Sequence, residues 1–233
     1  NGDPVTPSVN GSRDSWSTAG YFSRINYDYE NKYLAEINLR YDGTSRFRKD
    51  KRWNLFPSFS LGWNMAQENF WESLYDTINL FKLRVSYGEL GNQNTSNWYP
   101  TYQVMPVYSN EGSWLQNGRR PNTAYVPSLI SSTMGWEKVK NWNMGFDFGF
   151  FNQRLRGSFD YFVRETKNMI GPAQELPVIL GIDVPKTNNT DLETYGFDFE
   201  ISWNDRLNNG LGYSAKLLLS DSQTKITRYP KIG

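Results

Sequence analysis

The sequence predicts an all-β chain, an antiparallel transmembrane β-barrel segment in which about eight long strands each carry two unlike faces. Three observations point there. Bulky apolar residues alternate with small or polar ones over long stretches, the period of a strand covered differently on its two sides. Aromatics are abundant: 9 Trp, 15 Tyr and 14 Phe make up 16% of a chain that is only 38% hydrophobic, with a mean hydropathy of -0.68. A soluble core leans on Leu, Ile and Val, whereas a barrel sets rings at both bilayer interfaces and keeps a wet lumen. Finally, short and long connections alternate along the chain. On composition alone a Trp-rich soluble sandwich or propeller fits nearly as well, so the elements and their order decide.

Residues 1–15 hold Gly, Pro, Ser, Asn and charges and read as a loop. From Trp16 to Tyr29 one face carries Tyr21, Ile25, Tyr27 and Tyr29, the other Phe22, Arg24, Asn26 and Asp28. Glu30-Asn31-Lys32 connects tightly to Tyr33–Asp42, where Tyr33, Ala35, Ile37, Leu39 and Tyr41 oppose Leu34, Glu36, Asn38, Arg40 and Asp42. A basic loop, 43–52, leads to Trp53, Leu55, Phe59, Leu61, Trp63 and Met65, set against Asn54, Ser58, Ser60, Gly62 and Asn64. Residues 66–77 form a short helical turn whose Phe70 and Trp71 anchor it either at an interface or under a core. In the strand from Ile78 to Gln93, Phe81, Leu83, Val85 and Tyr87 oppose Lys82, Arg84, Ser86 and Gly88.

A long connection, 91–133, is rich in Asn, Ser, Pro and aromatics. Met134–Phe151 alternates again, Trp142, Met144, Phe146, Phe148 and Phe150 against Asn141, Asn143, Gly145, Asp147 and Gly149. A two-residue turn at Asn152-Gln153 returns the chain through Arg154–Lys167, with Leu155, Phe159, Tyr161 and Val163 opposite Arg156, Ser158, Asp160 and Arg164. After a loop over 168–191, Tyr195, Phe197, Phe199, Ile201 and Trp203 alternate with Gly196, Asp198, Glu200 and Ser202. A turn at 205–210 opens the last strand, where Leu211, Tyr213, Ala215, Leu217 and Leu219 face away from Lys216 and Ser220.

The connections at 30–32, 66–77, 152–153 and 205–209 form the shorter set, and those at 43–52, 91–133, 168–191 and beyond 226 tend to be longer, although 66–77 itself exceeds 43–52. Antiparallel strands place alternate connections at opposite ends, so one end carries tight turns and the other long loops, as in outer-membrane barrels. A sandwich has no reason to sort its loops this way. Strand length agrees: about 10 tilted residues cross a bilayer, against about 5 or 6 in a common soluble strand.

Charge and chemistry narrow the function. With 25 basic and 24 acidic residues the net charge is +1, which gives no basis for nucleic-acid binding. The absence of Cys and His removes disulfides, Cys/His zinc sites, thiol nucleophiles and His-based triads, and no metal or cofactor is expected. No apolar run reaches the roughly 18 residues of a transmembrane helix. The first residues have neither the basic nor the apolar region of a signal peptide, and both ends read as cuts in a longer protein.

Several motifs in register resemble the barrel of SusC/RagA-type TonB-dependent outer-membrane transporters. They are Tyr41-Asp42-Gly43-Thr44-Ser45-Arg46-Phe47, the run from Trp53 through Phe56-Pro57-Ser58-Phe59-Ser60 to Trp63, and Leu83 through Gly88-Glu89-Leu90-Gly91-Asn92-Gln93. Trp136-Glu137, Asn143-Met144-Gly145-Phe146-Asp147, Asp160-Tyr161-Phe162, Glu175-Leu176-Pro177 and Gly196-Phe197-Asp198 continue the match in order. Thr190-Asp191-Leu192-Glu193-Thr194 departs from the usual Asn-and-Gly pattern there. The resemblance implies that residues 1–233 are part of a TonB-dependent receptor β-barrel domain lacking the plug, the TonB-contacting segment and the closing strands. If the whole barrel has about 22 strands, this chain supplies roughly a third of its wall. It further implies an outer-membrane location, active import of a polar oligomer (oligosaccharide before peptide), a SusD-type surface lipoprotein lid and energy from the TonB complex. The alternative is a soluble or surface-exposed β protein that binds carbohydrate.

Two sets of residues are candidates for contact with the solute. The lumen-facing charges are Arg24, Glu36, Arg40, Lys82, Arg84, Asp147, Arg156, Asp160, Arg164, Asp198 and Glu200. They read first as a hydrated wall of cross-strand pairs, such as Arg24 diagonal to Glu36, and second as contacts for plug or solute. The loop aromatics Trp98, Tyr99, Tyr102, Tyr108 and Trp114 either stack on a solute or fold the loop onto itself or a lid. Asp198 and Glu200, two apart on one face, have the spacing of a glycosidase pair, but nothing supplies the apolar pocket that one of them would need.

Overall fold

The computed structural model describes residues 13, 15–93, 105, 107–108, 114–124, 126–127, 129–131, 133–171 and 185–230. Its strands are β1 (Thr18–Tyr29), β2 (Tyr33–Thr44), β3 (Trp53–Asn64), β4 (Ile78–Asn92), β5 (Val107–Tyr108), β6 (Thr123–Ala124), β7 (Glu137–Phe150), β8 (Leu155–Gly171), β9 (Thr187–Arg206) and β10 (Gly212–Arg228). Eight of them form one antiparallel sheet in the order β1-β2-β3-β4-β7-β8-β9-β10, and β5 pairs with β6 separately. The sheet is open, with β1 and β10 each paired on one side. This is the antiparallel barrel-wall architecture that the alternation predicts.

Connections sort by end. Residues 30–32, 65–77, 151–154 and 207–211 join strands at one end, and 45–52, 93–136 and 172–186 at the other. The turn expected at Asn152-Gln153 spans 151–154, with Phe151, Asn152 and Gln153 all at left-handed φ, 55°, 57° and 63°. The helical turn at 66–77 is two 3-10 helices, Met65–Gln67 and Asn69–Leu74. Trp71 stacks on Phe81 at 5.4 Å and donates its indole N–H to the Ile78 carbonyl, while Phe70 stays exposed. Met65, expected in the strand, sits in the first of these helices.

At the carboxyl-terminal half the sequence falls short. The loop over 168–191 yields residues to both neighbours: β8 runs on to Gly171 and β9 begins at Thr187. The added pairs set Met169 and Ile170 against Thr190 and Asn188 and contain register shifts between Thr166, Met169 and Ile170, so no alternation betrays them. Side chains secure it: Asn188 Nδ2 donates to the Asn168 carbonyl at 2.6 Å, and Asn168 N–H to Asp191 Oδ1 at 2.8 Å.

Register rows define the two faces. One row joins Ile25, Ile37, Phe59, Tyr87, Trp142, Val163 and Tyr195 across seven strands. Toward the long-loop end Trp53 stacks on Tyr41 at 5.0 Å and on Tyr21 at 6.1 Å, and Tyr87 meets Trp142 at 4.5 Å. Toward the short-turn end Tyr29 stacks on Tyr33, and Trp203 donates to the Tyr213 hydroxyl. Two aromatic belts result. Trp53 and Trp63 lie ten positions apart on β3, about 34 Å along a strand and about 25 Å along a normal at barrel tilt, the height of a bilayer's apolar band.

Among the described residues the apolar face has no second layer. Ile25, Leu61 and Met144 are 63%, 54% and 56% exposed. Among the described residues the only buried apolar side chains are Phe47, Phe56, Ala66 and Trp136. Three of these fill a wedge, because β3 and β4 pair only between Ser58–Asn64 and Lys82–Gly88. Beyond that the strands part. Phe47 and Phe56 meet Trp136 edge-on at 5.6 and 5.3 Å, and the Trp136 indole donates to the Arg52 carbonyl. Gly91 leaves the space into which the Phe56 ring projects.

The short-turn end is tied down by Glu68. Its Oε1 accepts the Tyr33 hydroxyl at 2.5 Å and the Trp63 indole N–H at 3.1 Å. The Tyr33 bond first, then that of Trp63, holds the carboxyl below the usual carboxylate range.

Candidate functional site

The polar face carries the candidate charges, and register decides which of them meet. Arg84 on β4, Gly145 on β7 and Asp160 on β8 lie in one row. A side chain at 145 would strike the Asp160 carboxylate; glycine there lets the guanidinium cross a whole strand. Arg84 Nη2 thereby reaches Asp160 at 3.0 Å and the diagonal Asp147 at 2.8 Å. Asp160 also sits directly opposite Asp198, and Arg84 offsets that like-charge pairing.

The other charges divide. Glu200 binds Lys216 of β10 at 2.6 Å, and Arg40 binds Asp42 along its own strand at 3.0 Å. Arg24 lies opposite Asn38, one pair from Glu36, and the diagonal contact runs through an amide. Arg24 Nε donates to Asn38 Oδ1 at 2.6 Å, and Asn38 Nδ2 to Glu36 Oε1 at 2.7 Å. Arg156 donates to the Gln153 carbonyl, capping the adjacent turn. Lys82, Arg164 and Asp198 make no ion pair among the described residues. Asp42, Lys216 and Asn38 complete the network yet stand outside the charges singled out by sequence; only register reveals their roles.

Two grooves score this face. One, of about 760 Å³, runs past Phe22, Arg24, Asn38, Arg40 and Asp42; the other, of about 500 Å³, past Glu36, Ser60, Lys82, Arg84 and Ser86. Of the loop aromatics, Trp98, Tyr99 and Tyr102 lie outside the described residues. Tyr108 belongs to β5, with its side chain likewise outside, and Trp114 is exposed. Asp198 and Glu200 do not stand as a free carboxylate pair, because Lys216 holds Glu200. No cluster of metal-binding side chains occurs among the described residues, and no helix there is long and apolar enough to cross a membrane.

Comparison with known proteins agrees with this geometry. The family described as TonB dependent receptor-like, beta-barrel matches residues 1–231. TonB-dependent receptor SusC of Bacteroides thetaiotaomicron is 36% identical over 183 residues, 78% of this chain and 18% of its own. TonB-dependent receptor P3 of Formosa agariphila is 32% identical over 209 residues, 90% of this chain and 20% of its own. The chain thus spans about a fifth of the length of these relatives. The RagAB peptide importer in its open-open state superposes with a TM-score of 0.77 at 22% identity, over 92% of this chain and 22% of that one. A second structure, of the RagAB peptide transporter, gives 0.73 over 91% of this chain. Sequence and fold converge over nearly every residue, and the chain belongs to the TonB dependent receptor-like β-barrel family, in its SusC/RagA branch.

Proposed function

We propose that this chain forms wall and extracellular loops of an outer-membrane importer for a polar oligomer, powered through TonB and capped by a SusD-type surface lipoprotein. The observation that carries the reading is the sheet itself: one broad face is apolar, ringed by two aromatic belts and uncovered by any other described residue, and the opposite face is a network of charges and amides. Lipid satisfies the first face and a hydrated conduit the second.

An oligosaccharide is the preferred solute. The eleven candidate charges are six bases and five acids, and close pairings join Arg84 to two aspartates and Glu200 to Lys216, so neither sign dominates and a neutral polar chain suits the surface. Family resemblance favours the same class. A peptide is the second reading, favoured by the peptide-transporter descriptions of the RagAB structures. Import requires no covalent chemistry, and the reading includes no enzyme activity, in keeping with a chain that has neither His nor Cys.

The test is uptake by a strain deleted for the intact gene, grown on a panel of glycans and peptides and complemented in trans. Loss confined to one glycan class supports the proposal. Loss confined to peptides moves the solute to the second reading, and recovery of the protein in the soluble fraction ends the transporter reading.

A further inference from the structure

The two ends of the sheet differ in charge as well as in loop length. At the long-loop end five of the eight residues 45–52 are basic, against the single acid Asp50. At the short-turn end, residues 28–32, 66–77, 151–154 and 204–211 hold six acids and three bases. The long-loop rim also brings Lys138 of β7 directly opposite Lys167 of β8, an arrangement that disfavours the ladder unless something anionic lies between. Lys138 and Lys140 share the parity of Trp142, so both stand on the apolar face just beyond the aromatic belt.

Local carboxylates answer only part of this charge. Asp50 pairs with Arg48 at 3.8 Å, Glu165 with Lys167 at 3.6 Å and Glu89 with Lys140 at 3.7 Å. Among the described residues Lys49, Lys51 and Lys138 have no carboxylate partner. Lys51 and Lys138 open onto one polar cavity of about 440 Å³, framed by Trp53 and Trp136, with Asn54, Asn168 and Asp50 also in its wall.

We infer that this rim binds phosphate groups of anionic lipid headgroups in the outer leaflet, with Lys51 and Lys138 as the principal contacts. The inference rests on the transporter reading, which puts the long loops outside and the belt at the bilayer surface. Position selects lipid over a lid protein: Lys138 lies on the outward face a few residues beyond Trp142, where headgroups sit, and a lid would rest on the loops above. A lysine beside an anionic surface contributes about fivefold in affinity, so removing three predicts a loss of more than about tenfold.

The experiment uses the full-length receptor in phosphatidylcholine nanodiscs containing lipid A bisphosphate or dephosphorylated lipid A, with bound lipid quantified by mass spectrometry. Wild type retains the bisphosphate selectively, Lys49→Gln/Lys51→Gln/Lys138→Gln loses more than about tenfold of that enrichment, and Lys82→Gln, on the polar face, keeps it. Inorganic phosphate does not compete. Equal enrichment in the triple variant, displacement by inorganic phosphate, or basic residues that matter only when a lid lipoprotein is present would each overturn the inference. Heat-modifiable migration of the same samples separates the two levels. A receptor that never inserts defeats the transporter reading as well, whereas an inserted receptor without phosphate preference defeats this inference alone.

Discussion

Arg84 shows how much a single position depends on three strands. Its reach to Asp160 exists because residue 145 has no side chain, and Asp160 faces Asp198 on the far side. A double-mutant cycle between Arg84→Met and Asp160→Asn should give a coupling of about 1 kcal/mol, modest because the groups are partly solvated. Repeating the cycle on a Gly145→Val background should abolish it; unchanged coupling would mean that the guanidinium takes another route. Glu68 makes a second residue-scale prediction. Its folded-state carboxyl titrates below the ordinary value, so the stabilisation it gives is fully present above the ordinary carboxylate range. That stabilisation is lost as pH falls through the depressed value. Denaturant titrations of wild type and Glu68→Gln should therefore converge under acid conditions and separate near neutrality; a constant gap would contradict the linkage. The polar character of Arg84, Asp147 and Asp160 was legible in the alternation. Their meeting was not, since the row Arg84-Gly145-Asp160 depends on pairing between residues about sixty and seventy-five positions apart.

At the scale of elements, the alternation that locates β2, β3, β4 and β7 works because one side of each strand is apolar over a long run, as from Phe81 to Tyr87 in β4 and from Trp142 to Phe150 in β7. The same signal fails where β8 and β9 run beyond the belt: Met169 pairs with Thr190 and Ile170 with Asn188 across shifts of register, and side chains such as Asn188 and Asp191 hold the ladder there. Thus the membrane-height part of each strand is readable in sequence, and its extension toward the loops is not. The wedge between β3 and β4 is likewise invisible, because Phe56 breaks the polar parity of its own strand for a tertiary reason, the contact with Trp136. Face identity yields a direct mutational contrast on β4. Leu83→Arg places a guanidinium on the lipid side and should cost about 2–4 kcal/mol near midplane, while Ser86→Arg on the polar side should be far milder. Folding titrations of the full-length protein in lipid read the difference, and equal effects would show that the two sides do not meet lipid and water.

For the molecule as a whole, among the described residues β1 and β10 are each paired on one side and the apolar face is uncovered, so the proposed importer draws its stability from further strands and from the bilayer. Residues 1–233 expressed alone should accordingly fail to give a monodisperse folded species by size-exclusion chromatography and light scattering. A well-behaved monomer would indicate a sheet that finds its cover within this chain. The barrel architecture was legible from loop parity, belt residues and strand length together. The polar face named no solute, because a face on which acids and bases nearly balance looks alike for any neutral polar cargo.

The two-faced wall is tested most directly residue by residue. These 233 residues contain no cysteine, so single cysteines can be introduced in the full-length protein at Ser60, Leu61, Leu83, Val85 and Ser86, labelled with an environment-sensitive fluorophore and probed with bromolipids. Labels at 61, 83 and 85 should emit in the blue and be quenched by bromolipid, while those at 60 and 86 should stay red and respond to aqueous iodide. Quenching without this alternation, or none by lipid at any position, would contradict a membrane-spanning wall.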